Sequence, residues 1–311
     1  MAKIWGRRFE VLVGNSGEFL RVTNENGGAS LRVAFMVQHD YGGHQSYAEI
    51  SIYGLKTENE EKIFQKYRSI ILQAGYTELY GPIFKGQVTN VQRERSGPGG
   101  VERSIKLFCR SAAQDIDQSF VNITFGPGTP YTEIIRACAA KFGKPVIFQG
   151  DFSTLPNCLR GYILNGNTKA ALNKLSKSMG FQWTMENETI LIIKNGFIRD
   201  GETFNFTSRT GMIGSPVVTD VGIDVRVALN PAIQIGRLIQ IDSVAPQFQF
   251  AGAYWFEVPR SIGQGQYEVA RLNHVGDTHS DSGWETQIEC FRYNKSERQA
   301  MIDQQRANGI L

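Results

Sequence analysis

Two pairs of histidines stand five residues apart, His39 and His44 in HDYGGH and His274 and His279 in HVGDTH. On a helix an i, i+4 spacing would turn both imidazoles to one face, the arrangement that grips a divalent metal, whereas five residues turn them about 140° apart. Both pairs instead lie beside glycines, Gly42 and Gly43 or Gly276, in sequence that reads as turns, where the spacing fixes no common face. Asp277 is suited to closing the turn of GDTHSDSG with its own side chain. The four cysteines, Cys109, Cys138, Cys158 and Cys290, never form a CxxC pair. They read as small buried hydrophobes of a chain made in a reducing cytosol. The serine of GNSG, residues 14–17, lacks the GxSxG pattern, and no helix follows it to build a nucleophile elbow. Glu49, Asp224, Glu285 and Glu289 fall on the polar faces of alternating strands, where solvated or interface charge is the default role. A pair of glycosidase carboxylates stays open, because their separation in space is not written in the sequence. GPGG (97–100) and GPGTP (126–130) lack both the lysine of a phosphate loop and the GxGxxG spacing, so turns explain them. No catalytic, cofactor-binding or metal residue is assigned, and no cofactor is expected.

One segment does offer a surface. QFQFAGAYWFEVPR, residues 247–260, places Tyr254, Trp255 and Phe256 in succession, which a single strand face cannot bury. A contact with a neighbouring chain is the favoured use. Base stacking would need interleaved cations, and only Arg260 is near.

The elements that must carry these residues are mostly strands. RRFEVLVG (7–14), LRVAFMVQ (31–38) and YAEISIYGL (47–55) alternate, and TENEEKIFQKY (57–67) predicts a short helix capped by Thr57 with Glu60 three residues on. SIILQAGY (69–76), PIFKGQVTNVQRE (82–94) and VERSIKLFCR (101–110) return to strands. The period then changes. GTPYTEIIRACAAKFGKP predicts a helix with Thr129 as N-cap, and NTKAALNKLSKSMG a second from Thr168 to Gly180. FQWTM and TILIIK predict a hairpin over residues 186–188. From 197 to 293 the chain is β again, and SERQAMIDQQRANGIL predicts a short polar tail helix. The fold class expected is mainly β with an α+β insertion: a first tube-like β domain at 1–110, a small α/β domain at 111–196, a second tube-like β domain at 197–293, and the tail at 294–311.

Laid over each other, the two β regions repeat one order. AEISIYGLK, SIILQAGY, FKGQVTNVQRE and ERSIKLFCR match DVRVALNP, RLIQIDS, YEVARLNHVGD and ETQIECFR, with Glu102 and Ile105 spaced as Glu285 and Ile288 are. Two copies of one half-exposed sheet let a cyclic trimer present six quasi-equivalent units around an axis.

At 311 residues the chain exceeds a usual single domain, and 41% hydrophobic residues support a sizeable core. A net charge of +3 prompts no polyanion partner, so nucleic-acid binding by a β-barrel is the weakest of three readings. No signal-peptide core or membrane-length apolar run is present, so no membrane span is expected.

The succession AEISIYGL, helix, IILQAGY and IFKGQV, with GMIGSPVVTD, VRVALNPAIQIGRLIQI and LNHVGDTHSDSGWETQIECF, resembles the baseplate hub proteins of contractile-tailed bacteriophages, the family of the T4 and Mu tail hubs and late-control proteins. The resemblance spans roughly residues 5–293. It implies two fused tail-tube-like β-barrels and a homotrimer joining the sixfold tube to the threefold spike. The partners implied are the tail tube protein, the tail spike protein, the tape measure protein and other baseplate proteins. It also implies a place in the virion after assembly in the host cytoplasm, and a structural role without catalysis. The one motif carried over is Leu229-Asn230-Pro231, with a structural role. A tail-associated cell-wall-degrading enzyme, using the carboxylates and histidines above, is the alternative.

Overall fold

The computed structural model describes residues 6–292 except 16, 26–29, 41–44, 97–101, 200, 220–221, 244–245, 249–263 and 281–282. The expected tail helix, His44, the GPGG turn and the aromatic run from Tyr254 to Phe256 lie outside the described residues.

The front part holds β1 (Arg7–Asn15), β2 (Glu18–Thr23), β3 (Val33–Asp40), β4 (Tyr47–Tyr53), α1 (Thr57–Gln65), β5 (Ser69–Tyr76), β6 (Leu79–Ser96) and β7 (Glu102–Arg110). The middle holds α2 (Ala113–Asp117), β8 (Phe120–Phe125), α3 (Tyr131–Ala140), β9 (Val146–Gln149), β10 (Tyr162–Asn167), α4 (Thr168–Met179), β11 (Phe181–Glu186) and β12 (Thr189–Lys194). The rear part holds β13 (Phe204–Phe206), β14 (Val217–Val218), β15 (Gly222–Ala228), β16 (Leu238–Asp242), β17 (Gln247–Phe248), β18 (Gln264–Asp277) and β19 (Trp284–Arg292).

Front and rear strands join in one 14-stranded sheet. Its front section runs β3-β4-β7-β6-β5 and its rear section β14-β15-β19-β18-β16, the same order. The likeness reaches single residues. The β6·β7 ladder slips between Val88 and Asn90, the β18·β19 ladder between Val269 and Arg271, and Val88 faces Cys109 as Val269 faces Cys290. The Val88 N–H donates to the Arg68 carbonyl at 2.7 Å, and the Val269 N–H to the Arg237 carbonyl at 2.9 Å. Each bulge therefore bends its strand at the matching point.

The expectation of two closed barrels is corrected: the sheet is open, with no closed barrel among the described residues. The reason lies in β18, which pairs with β16 over its first residues and with β3 from Arg271 to Asp277. An edge that a barrel would join to itself is occupied by the other section.

Period-two alternation places Val33, Phe35 and Val37 of β3, Ile50 and Ile52 of β4, and Ile105 and Leu107 of β7 on one buried face. Each such side chain contributes about 1.5–3 kcal/mol. Leu229 and Trp284 come from the rear part into this front core. The rear core is made by Ile223, Val225, Ile239, Ile241, Leu272 and Ile288, among others.

The middle segment has its own core, in which Ile134, Ile135 and Cys138 of α3 and Leu172 and Leu175 of α4 are buried. Asn167 caps α4, its Oδ1 accepting the Ala170 N–H at 3.1 Å, and Gly180 ends the helix at φ 64°. Thr57 and Thr129 do not cap as expected. Lys56 and Pro130 occupy the N-cap positions, and the Thr129 hydroxyl donates to the Gly126 carbonyl at 2.9 Å. Asn187 and Glu188 take φ of 48° and 62°, the left-handed pair that a tight hairpin between β11 and β12 demands.

Candidate functional site

The residues that could do chemistry gather at the seam where β3 meets β18. His39 and His274 each read in sequence as a turn residue with a second histidine five positions along. The structure pairs them with each other across the seam: their rings meet edge to face, 5.8 Å apart, and both are buried. His279 is not with them; it is held in the turn, its backbone N–H donating to Asp277 Oδ1 at 3.0 Å. Asp277 thus closes that turn as its type suggested, and it also receives Arg32 from the front part at 2.9 Å. Arg271 bridges the same seam, pairing with Asp40 of β3 and, at 3.0 Å, with Glu289 of β19.

The tautomers follow from the partners. The Ile83 carbonyl can only accept, so His39 Nε2 carries the proton at 2.9 Å, and Nδ1 accepts from the Ser46 hydroxyl at 2.7 Å. Thr286 Oγ1 accepts the Asn230 N–H at 3.0 Å, which leaves its own proton for His274 Nδ1 at 2.9 Å. Burial pushes His274 down to about 3, and the His39 ring adds to the shift. Burial also lowers His39, against the opposing pull of Glu186. Both imidazoles are neutral at physiological pH. The Ser46–His39 contact, invisible in the sequence, has the shape of a nucleophile and its base. Ser46 is 1% exposed, however, and its hydroxyl also lies 3.0 Å from the Met185 carbonyl, so no substrate atom can reach it there.

Beside the histidines a cavity of about 340 Å³ opens where front, middle and rear meet, lined in part by Tyr80, Pro82, Glu186, Pro231 and Gln234. Of Leu229-Asn230-Pro231, only Pro231 lines this cavity, together with Ala232 and Ile233 that follow it. Leu229 is wholly buried in the front core, and Asn230 Oδ1 accepts the Ala232 N–H at 2.9 Å to make the turn. The middle segment is tied to the same place, with the Thr184 hydroxyl donating to the Asp40 carbonyl at 3.1 Å.

The four carboxylates singled out from sequence line the opposite, polar face of the sheet. Glu49 is paired with Lys106 at 2.7 Å, which lowers its carboxyl. Burial works to raise Glu285, yet pairing with Arg226 at 2.7 Å and the Gln287 amide hold it below its ordinary value; it is 5% exposed, not solvated as alternation suggested. Burial raises Asp224, as does Glu289, which stands directly across from it, against the pull of Arg271. Glu49, Glu285 and Glu289 are each paired with a cation, whereas Asp224 faces the like charge of Glu289. Among the described residues no group of three or more His, Cys, Asp or Glu is placed to hold a metal. All four cysteines are buried and free. No helix among the described residues is long and apolar enough to cross a membrane.

The fold is shared with tail proteins. The 43 kDa tail protein of prophage MuSo2 from Shewanella oneidensis matches at TM-score 0.58 and 10% identity, over 92% of this chain and 98% of that one. A tail protein from Neisseria meningitidis MC58 matches at 0.56 and 13%, over 93% and 97%. The E. coli c3393 protein, a component of the type VI secretion system with structural similarity to T4 tail proteins gp27 and gp5, matches at 0.54 and 12%, over 86% and 74%. No curated protein matches the chain in sequence. The family model described as baseplate hub gp41 matches residues 28–248, most of the chain. By that match the chain belongs to the baseplate hub gp41 family, structural proteins of phage tails.

Proposed function

We propose that the chain is the structural hub of a contractile-tail baseplate, a homotrimer that adapts the sixfold tail tube to the threefold central spike. The observation that carries this is the repeat of one strand order with its bulge, β3 to β7 and β14 to β19. Three chains would offer six like sheet sections to the tube protein on one side. The middle segment, present once per chain, would keep threefold symmetry toward the spike. The tape measure protein and other baseplate proteins are its further partners in the virion, after assembly in the host cytoplasm. In this reading the chain divides at 1–110, 111–196, 197–293 and 294–311, and it makes and breaks no bonds. The ion-paired carboxylates and the occluded Ser46–His39 pair support that last point.

Native mass measurement and two-dimensional image averages of the purified chain test it. Three chains per particle, with near-sixfold features on one face, are expected. A strict monomer at high concentration overturns the proposal. So does peptidoglycan release that Glu49→Ala, Asp224→Ala, Glu285→Ala or His274→Ala abolishes.

A further inference from the structure

Strands β6 and β18 are equivalent, yet one of them is left half-paired. Each pairs on one side with its successor, β7 or β19. On its other side β18 carries β16 and then β3. β6 carries β5 from Leu79 to Gln87, and beyond Val88 no strand lies there among the described residues. The Val91 N–H is bonded to the Asn90 Oδ1 of its own strand at 2.8 Å, so it points away from β7. Alternation then turns the backbone groups of Val91, Arg93 and Arg95 outward. The Arg93 side chain engages Glu60 of α1 at 3.4 Å, and Gln92, Glu94 and Arg95 are exposed. A charged edge of this kind is guarded against indiscriminate pairing but remains a template for a matching strand.

The matching strand can be read from the internal seam. Ala48 faces Cys109 as Ile223 faces Cys290, and Val37 faces Ala48 as Val218 faces Ile223. β14 is therefore the rear counterpart of β3, with Val217 and Val218 standing for Met36 and Val37. We infer that the open edge of β6 receives β14 of a second copy of this chain, with Glu94 opposite Val217 and Arg93 opposite Val218. That register copies Val275 opposite Met36 and His274 opposite Val37. The short β17, which now pairs with β14, gives way at this contact. Donor and acceptor edges differ, so the contact is head to tail and repeats from chain to chain until the ring closes. The inference rests on the proposed oligomer and names the surface that builds it.

A cysteine pair tests the register. Val275 and Met36 alternate with the outward-bonded positions, so Glu94 and Val217 form a non-hydrogen-bonded pair with Cα atoms about 4.5 Å apart, within disulfide reach. The natural cysteines are buried and stay silent. Under mild oxidation, E94C/V217C should shift most chains into intersubunit-bonded species, lost in either single variant and strongly reduced in the out-of-register Q92C/V217C. Arg95→Pro removes an outward N–H without touching the β7 ladder, and should lower assembly while leaving the melting temperature of the chain unchanged. Native mass is read on the same samples. A trimer that forms no E94C/V217C bond overturns the edge assignment and leaves the proposed ring standing. A monomer with no bond overturns both.

Discussion

The front and rear sections of the sheet have the same strand order and the same bulge, but they differ in how far each stands alone. The front core is completed by Trp284 and Leu229 from the rear. The Trp284 ring meets Phe35 edge to face at 5.3 Å, and its Nε1 donates to the Gly75 carbonyl at 3.1 Å. The buried residues of the rear core all come from the rear part itself. A repeat can thus keep its backbone plan while dividing the packing unequally, because strand order depends on a few pairing and bulge positions and stability depends on everything that fills the space between.

The sharpest way to break the comparison is Trp284→Ala. It should cost about 3–5 kcal/mol, and hydrogen exchange should show the loss of protection in β3, β4 and β7. Ile288→Ala, inside the rear core, should cost about 2–5 kcal/mol and loosen β15 and β16 instead.

Acid probes the seam itself. His274 is neutral in the fold, with its pKa lowered from 6.5 to about 3. Its contribution is therefore fully present above pH 6.5 and is lost as pH falls, since the unfolded chain then binds the proton more readily. Between pH 6.5 and pH 5 the loss should reach about 2 kcal/mol from this residue, with His39 adding to it in the same direction. Urea midpoints measured across that range should flatten in His274→Asn.

A smaller contrast lies at Gly276 and its counterpart Arg95. A Cβ at Gly276 would stand 2.2 Å from the Phe35 ring, whereas Arg95 is exposed and, on the side away from β7, faces no strand among the described residues. Gly276→Ala should cost roughly 1–3 kcal/mol, while Arg95→Ala should stay within about 0.5 kcal/mol, both by thermal melting. The smallest effect should carry opposite signs. Glu49 faces Phe108 and is paired with Lys106, whereas its counterpart Asp224 faces Glu289. Glu49→Gln should lower stability by up to about 1 kcal/mol at neutral pH, and Asp224→Asn should raise it by a few tenths.

The strand order of the repeat was legible because alternation and spacing are local, and strands such as 69–76 fall where the pattern puts them, but the residue match slipped by two: Leu107, not Ile105, is the counterpart of Ile288. The bulges at Val88 and Val269 were not, since one extra residue leaves the alternation on either side intact. The histidine pairing was out of sight for a related reason: spacing along the chain speaks only of near neighbours, and His39 meets His274 through a ladder between residues far apart in the chain. Thr57 and Thr129 have the right chemistry for capping but stand one residue off, where the extended Lys56 and Pro130 already end the turn. Barrel closure was out of reach because it depends on which edge finds which partner. Residues Glu285 and Ser46 show the same limit, since their burial is decided by the layer that covers them.

The antiparallel seam of β18 and β3 also has a mechanical meaning. A force pulling the two sections past each other along the strand axis would load every bond from Arg271 to Asp277 at the same moment, with none at the front to peel first. Such a joint resists sliding far better than unzipping, so a shock travelling along the strands would spend itself elsewhere before the sections parted.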